Sequence, residues 1–118
     1  MSVATDSTAI LDLAALERQT GGDASLRREI VRMFLEDCPL RVDAIGAAIA
    51  AGDTASLVSS AHTLKGSAAY LKASIVRGHA ADLEQCAREG RDADAAAVFE
   101  KLRDAIGELL PELHKLDR

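Results

Sequence analysis

The stretch 61-AHTLKGSAAYLKA-73 decides the fold of this 118-residue chain. It lies in a longer segment, about 54 to 71, whose apolar residues recur at spacings of four, three, four and three: Leu57, Ala61, Leu64, Ala68 and Leu71. This period is typical of an amphipathic helix with one buried face. Asp53 directly precedes the segment and is a candidate N-cap. The stretch therefore predicts a helix that packs against other helices.

Helical periods also fill the rest of the chain after residue 9, separated by short turn signals. We predict a short helix over about 12 to 19, and a second helix that begins after Asp23. Pro39 is expected to kink or end that second helix, because proline lacks a backbone N–H, so 40 to 51 is predicted as a separate segment. The last two predicted helices run from about 73 to 90 and from 92 to 115, with Pro111 interrupting the last one.

Short connections between long helices indicate antiparallel neighbours. We therefore predict an all-α fold: an antiparallel up-and-down four-helix bundle over residues 10–118, with one or two short accessory N-terminal helices. On the second helix, the expected inward face consists of Leu26, Ile30, Met33 or Phe34, and Asp37 or Cys38. On the predicted helix over about 73 to 90, it consists of Val76, Ala80, Leu83 and Ala87.

Composition excludes several classes of protein. The formal charge of −5 argues against general nucleic-acid binding, which requires a basic surface. The longest apolar run, 44-AIGAAIAAG-52, is far shorter than the roughly 18 residues of a membrane span. Residues 1–9 are polar and lack the features of a secretory signal, so we expect a disordered leader and a cytoplasmic, monomeric protein. Cys38 and Cys86 show no metal-like spacing and are expected to be reduced thiols in or near the core.

His62 is the candidate functional residue of the predicted helix over about 54 to 71. It follows the core position Ala61, so it lies about 100° around the helix, at the edge of the apolar face. Most residues that share its side of the helix are small, including Ser59, Gly66 and Ala69. From spacing alone, His62 could equally be a boundary histidine with no function. His79 and His114 lack such small neighbours and are weaker candidates.

Gly66 lies one turn after His62, inside a helix where alanine would be more favourable by about 1 kcal/mol. We interpret this bare turn as steric clearance that lets another protein approach the imidazole. Charge favours the same side of the molecule. Between Thr54 and Ala81 the sequence has no acidic residue but contains Lys65, Lys72 and Arg77. A basic surface on an acidic protein favours an acidic partner or a phosphoryl group, although chance variation along the helix explains it as well.

Glu84 is a candidate partner for His62. The two residues lie ten residues before and twelve residues after the turn near Lys72, so both are roughly 15–18 Å from it. A carboxylate that accepts a hydrogen bond from Nδ1 would fix the tautomer of the imidazole and leave Nε2 free as a nucleophile. The alternative is that Glu84 only forms a surface pair with Arg88, four residues later.

The string 62-HTLKGSAA-69 resembles the core signature of the histidine phosphotransfer (HPt) domain family, His-x-Leu-Lys-Gly-Ser. The fixed positions of the signature are matched by His62, Leu64, Lys65, Gly66 and Ser67. The resemblance continues through 11-LDLAALERQTGGD-23, 30-IVRMFLEDCP-39 and 83-LE-84, so it covers nearly the whole chain. The chain departs from the family at Lys72, where glycine is common, and at His79, where an apolar residue is common.

The resemblance implies that His62 accepts a phosphoryl group at Nε2 from the aspartyl phosphate of a response-regulator receiver domain and passes it to another receiver. It also implies that Lys65 offsets phosphoryl charge and that Glu84 orients the imidazole. No cofactor of its own is expected, with Mg²⁺ supplied by the receiver. Val58, Tyr70 or Leu71 would contribute to the receiver-docking patch.

Other functions are less well supported by the sequence. An autophosphorylating kinase needs an ATP-binding domain with glycine-rich boxes, and these residues do not contain one. A di-iron helix bundle needs Glu-x-x-His pairs, which are also absent. The chain could still be the phosphoacceptor domain of a larger hybrid or chemotaxis-type histidine kinase, or an adaptor that binds receivers without phosphotransfer.

Overall fold

The computed structural model describes residues 9–118. These residues form five helices and no strand: α1 (Leu13–Thr20), α2 (Ala24–Ala51), α3 (Thr54–Leu71), α4 (Ser74–Arg88) and α5 (Asp92–Leu116). The predicted all-α class is therefore confirmed. The expected leader falls, apart from Ala9, outside the described residues. Among the described helices, none is both long and apolar enough to cross a membrane.

Aspartates begin the first three helices, as their positions in the sequence predict for two of them. The Asp23 side chain accepts hydrogen bonds from the backbone N–H groups of Ser25 and Leu26, and Asp53 accepts one from Ser56. Asp12 caps α1 in the same way. Each cap satisfies backbone donors that have no partner within the helix, and so fixes where the helix begins.

Pro39 does not end a helix, and that prediction is wrong. Helix α2 runs through it without interruption, so the predicted separate segment 40–51 is the second half of α2. Pro39 is exposed, whereas Cys38 before it and Ile45 further along the helix are buried in the core. Packing on both sides of the proline outweighs the loss of one helical hydrogen bond. The same explanation holds for Pro111, which is exposed within α5 between the buried Leu109 and Leu113. One accessory helix, α1, remains.

The core follows the helical periods of the sequence closely. All five predicted residues of α3 and all four of α4 are buried. On α2, Ile30 and Cys38 are buried, and of the two alternatives Met33 and Phe34 it is Phe34 that is buried. Leu26 is exposed, in contrast to the predicted inward face. Met33 lies about 100° from Phe34, so only one of these neighbours can face the core.

Helix α3 packs against α2 on one flank and against α4 on the other. Helix α5 contacts α4 and α2, and the short α1 contacts α2. The Asp12 N–H also donates to the Lys72 carbonyl (3.1 Å), which fastens the start of α1 to the end of α3. The outer face of α3, with His62, remains uncovered between α2 and α4.

Lys72 ends α3 in the left-handed conformation, with φ 70°. A residue with a Cβ is strained there by about 1 kcal/mol, and glycine is not. We expect Lys72→Gly to raise the free energy of unfolding by about 1 kcal/mol relative to Lys72→Ala, a control that removes the same charge and keeps the Cβ. Urea denaturation of both variants measures the difference. Equal stabilities would show that the turn carries no strain.

Candidate functional site

His62 stands on the outer face of α3 with 63% of its side chain exposed to solvent. Gly66, one turn later, is also exposed, and no neighbouring heavy atom lies within 4 Å of the place where a Cβ would be. Nothing bulky therefore covers the imidazole on that side. The open space at Gly66 agrees with the clearance inferred from the sequence. Its use for the approach of another protein stays a prediction.

Glu84 of α4 lies beside the ring of His62, although 22 residues separate the two in sequence. Nδ1 of His62 is 3.2 Å from Oε2 and 3.3 Å from Oε1 of the carboxylate. The Glu84 side chain is only 8% exposed, so it lies in the seam between α3 and α4 and its position is fixed by packing. The sequence-based expectation that these two residues meet is thus seen in the geometry.

Two cations hold the same carboxylate. Nζ of Lys65 donates to Oε1 of Glu84 at 2.8 Å, and the guanidinium of Arg88 donates to Oε2 through Nη2 (2.8 Å) and Nε (3.1 Å). The hydrogen bond from Lys65, and then those from Arg88, lower the pKa of Glu84 from 4.5 to about 2 against the opposing effect of burial. Glu84 is therefore fully ionised at neutral pH.

The ionised carboxylate determines which nitrogen of His62 carries the proton. A carboxylate can only accept hydrogen bonds, so the nitrogen that faces it, Nδ1, must be the donor. In the neutral imidazole the lone pair is then on Nε2. Nε2 lies on the side of the ring away from Glu84, on a side chain that is largely open to solvent. The arrangement can supply an exposed nitrogen nucleophile.

The surroundings of His62 carry a net positive charge. Lys65 and Arg88 bring two positive charges and Glu84 one negative charge. The Glu84–Arg88 pair was predicted as an alternative to the Glu84–His62 contact, whereas the structure contains both contacts. The sequence signal for Arg88 was its four-residue spacing from Glu84, which places both on one face of α4.

A groove of about 460 Å³ opens between α2 and α3 on the opposite flank of α3. Its rim carries three large exposed apolar side chains: Met33 (62%), Leu40 (66%) and Tyr70 (58%). Gly66 and Tyr70 lie about 40° and 80° around α3 from His62, so the groove continues the histidine face. Tyr70 was among the residues suggested for docking. Leu71 was too, but it is wholly buried, because it belongs to the core stripe of α3.

Other candidate residues lie apart from this site. His79 is half-buried on α4, and His114 is exposed in the last turn of α5. Cys38 and Cys86 are buried and unpaired, as predicted, and burial raises the pKa of the Cys38 thiol to about 11, which makes it a poor nucleophile. Within residues 9–118, no three metal-ligating side chains come together.

Two solved structures resemble this fold along nearly its whole length. Histidine-containing phosphotransfer protein B (HptB) from Pseudomonas aeruginosa PAO1 is 24% identical, with a TM-score of 0.85 over 92% of this chain and 94% of its own. The HPT domain of the Hpt sensor hybrid histidine kinase from Shewanella is 18% identical, with a TM-score of 0.80 over 98% and 95%. At these identities the likeness concerns the fold alone.

Comparison of the sequence with family models gives a more specific result. No curated protein sequence matches the chain significantly. The model described as the Hpt domain matches residues 29–112, which include the whole of α3 and α4 with His62, Lys65 and Glu84. The match covers well over half of the sequence, and the chain therefore belongs to the Hpt domain family.

Proposed function

We propose that His62 is the phosphoacceptor of this histidine phosphotransfer domain, and that the protein relays a phosphoryl group between receiver domains of response regulators. The observation that carries this proposal is the exposed imidazole whose Nδ1 contacts an ionised, buried carboxylate at 3.2 Å. This contact leaves Nε2 as the free nucleophile, and the family to which the chain belongs works by phosphorylation of a histidine.

In the proposed transfer, the Nε2 lone pair attacks the phosphorus of the receiver's aspartyl phosphate. The phosphorus–oxygen bond breaks and its electron pair returns to the aspartate carboxylate. Passing the phosphoryl group on to the next receiver reverses these steps. An exposed nitrogen suits such in-line transfer between proteins, because both the incoming and the outgoing group belong to a partner.

Lys65 and Arg88 would offset the charge of the phosphoryl oxygens. Both cations bind Glu84 in the structure, so the role predicted for Lys65 requires its ammonium to be shared or redirected when the phosphoryl group arrives. We propose that Mg²⁺ comes with the receiver, because Glu84, the carboxylate in contact with His62, is already held by these two cations. The chain would act as a phosphocarrier and not as a kinase.

The arrangement of the helices supports this function. We infer that α2 to α5 form an antiparallel up-and-down four-helix bundle, because the connections between them are only two or three residues long. We also infer a monomer in a reducing, cytoplasmic compartment, which agrees with two buried thiols that remain unpaired. A hybrid histidine kinase is a further candidate partner.

The apolar groove gives the receiver a place to dock. Met33, Leu40 and Tyr70 expose apolar surface beside the histidine face, and such clustered exposure is typical of protein-binding sites. We propose that a receiver covers this groove while its active site faces His62. An adaptor that binds receivers without phosphotransfer would use the same groove, and only the chemistry at His62 separates the two functions.

Incubation with phosphorylated receivers tests the phosphoacceptor. We expect wild-type protein to acquire a label that is labile in acid and stable in alkali, and His62→Gln to acquire none. The control His79→Gln changes a histidine of α4 outside the site and should be labelled like wild type. Label on His62→Gln would contradict the assignment, and absence of label from every cognate receiver would favour the adaptor.

Gly66→Gln tests the clearance beside the imidazole. Because the space at Gly66 is open and glycine is a poor helix former, the free energy of unfolding should stay equal or rise by up to about 1 kcal/mol. The rate of phosphotransfer should nevertheless fall at least about tenfold, since a side chain here blocks the approach of the receiver. Gly107→Gln is the matched control, because Gly107 is also exposed in a helix with open space, and it should leave transfer unchanged. Unimpaired transfer by Gly66→Gln would refute the clearance argument.

Docking at the groove is tested by Tyr70→Ala and Met33→Ala. Each removes exposed apolar surface and should weaken receiver binding by roughly 1–2 kcal/mol, or about five- to thirtyfold in Kd, with little loss of stability. Leu13→Ala, which truncates an exposed leucine of α1 that does not line the groove, should bind like wild type. Calorimetric titration with a cognate receiver measures all three. Equal affinities would place the docking surface elsewhere.

A further inference from the structure

The imidazole of His62 changes its chemistry once Nε2 carries a phosphoryl group. With a proton on Nδ1 and phosphorus on Nε2, both nitrogens are substituted and the ring is a positively charged phosphoimidazolium. It can become neutral only by releasing the Nδ1 proton. Whether it does so depends on what Nδ1 faces, and in this chain it faces both carboxylate oxygens of Glu84, at 3.2 and 3.3 Å.

Glu84 opposes loss of that proton for a stereochemical reason. A deprotonated Nδ1 would present its lone pair to two oxygens that can only accept hydrogen bonds, because the pKa of Glu84 is about 2. The carboxylate cannot turn away easily, since its side chain is 8% exposed and each oxygen is bound by a cation. The protonated ring keeps its hydrogen bond, and the neutral ring loses it and gains repulsion.

The other charged groups around the ring do not reverse this preference. Lys65 of α3 and Arg88 of α4 form ion pairs with Glu84, and the doubly negative phosphoryl group would give them a second partner. On α2, Glu36 and Asp37 line the groove, and among the described residues no hydrogen bond or ion pair joins them to His62. The group in direct contact with Nδ1 is the carboxylate, so its charge has the largest effect.

We propose that Glu84 keeps Nδ1 of His62 protonated throughout the transfer cycle, so that the phosphorylated domain is held as a phosphoimidazolium that readily gives up its phosphoryl group. This inference rests on the proposed function and adds a second role for Glu84. Beyond orienting the free imidazole, Glu84 is a positioning residue that determines how labile the phosphorylated state is.

The bonds and charges balance without any proton transfer. Nε2 gains phosphorus as the aspartyl P–O bond breaks, and the ring gains one positive charge while Nδ1 keeps its hydrogen. In the onward step a carboxylate oxygen of the next receiver attacks phosphorus, and the electron pair of the N–P bond returns to Nε2. The group that leaves is a neutral imidazole. A ring without the Nδ1 proton would have to leave as an imidazolate anion, which is a much poorer leaving group.

Direct titration of the phosphorylated ring tests the proposal in the wild-type protein. Phosphoramidate, a small phosphoryl donor, is used to phosphorylate ¹⁵N-labelled protein without a receiver. The ¹⁵N shifts of the ring then report the pH at which half of the rings have lost the Nδ1 proton. We expect this midpoint to lie about one pH unit higher in the folded protein than in the same phosphoprotein unfolded in urea. A midpoint equal to or below that of the unfolded protein would overturn the proposal.

Glu84→Gln gives a second readout, with Glu108→Gln, an exposed residue of α5, as the charge-matched control. The amide should lower the midpoint by about one unit, so at alkaline pH the protonated fraction falls about tenfold and the phosphohistidine survives about tenfold longer. The control should hydrolyse like wild type. Equal lifetimes of Glu84→Gln and wild type across the pH range would contradict the proposal.

The phosphoacceptor role of His62 and the proposed role of Glu84 can be refuted separately. Label at His62 with an unshifted midpoint refutes the role of Glu84 and leaves the phosphoacceptor intact. Label that forms on another residue, or not at all, refutes the phosphoacceptor and the inference together. The wild-type titration decides the question even if Glu84→Gln does not fold.

Discussion

The site depends on one buried carboxylate. Glu84 lies in the seam between α3 and α4 and receives hydrogen bonds from Lys65 of α3 and Arg88 of its own helix, while its oxygens also face Nδ1 of His62. A buried charge is stable only when donors of this kind surround it. Because the donors come from both helices, the ion cluster also fixes the height at which α3 and α4 face each other. The structural requirement of the seam and the chemical requirement of the imidazole are met by the same group.

The two flanks of α3 differ in chemistry. Toward α4, the surface is charged, with His62 between the ion cluster and solvent. Toward α2, it is apolar and open, with Met33, Leu40 and Tyr70 exposed around a groove. Gly66 lies between these surfaces and adds no side chain to either. In the proposed function, reactivity and binding therefore occupy adjacent but separate surfaces, which would allow one to change without the other.

Much of the fold and of the candidate site could be predicted from the sequence, because the relevant signals are local and periodic. Helical geometry and short turns account for the apolar stripe of α3, for the caps at Asp23 and Asp53, and for the approach of Glu84 to His62. Predictions failed where packing between helices decides the outcome. The chemistry of Pro39 predicts a helix end, but the packing of its buried neighbours keeps α2 continuous. Leu71 was suggested for the surface, although it completes the core stripe of α3. The hydrogen bond from Lys65 to Glu84 depends on the rotation of two helices about their axes, which the period of one sequence does not specify.

The shallow surroundings of His62 have a consequence for specificity. With most of the imidazole in solvent, few contacts near Nε2 would distinguish one receiver from another in the proposed transfer. An aspartyl phosphate presents the same atoms whichever protein carries it, so the chemistry itself offers little discrimination. Discrimination must then come from surfaces at a distance, and the α2–α3 groove is the large apolar surface adjacent to the histidine face. We infer that the seam between α3 and α4 determines whether phosphotransfer occurs. The groove between α2 and α3 would determine which receiver takes part in it.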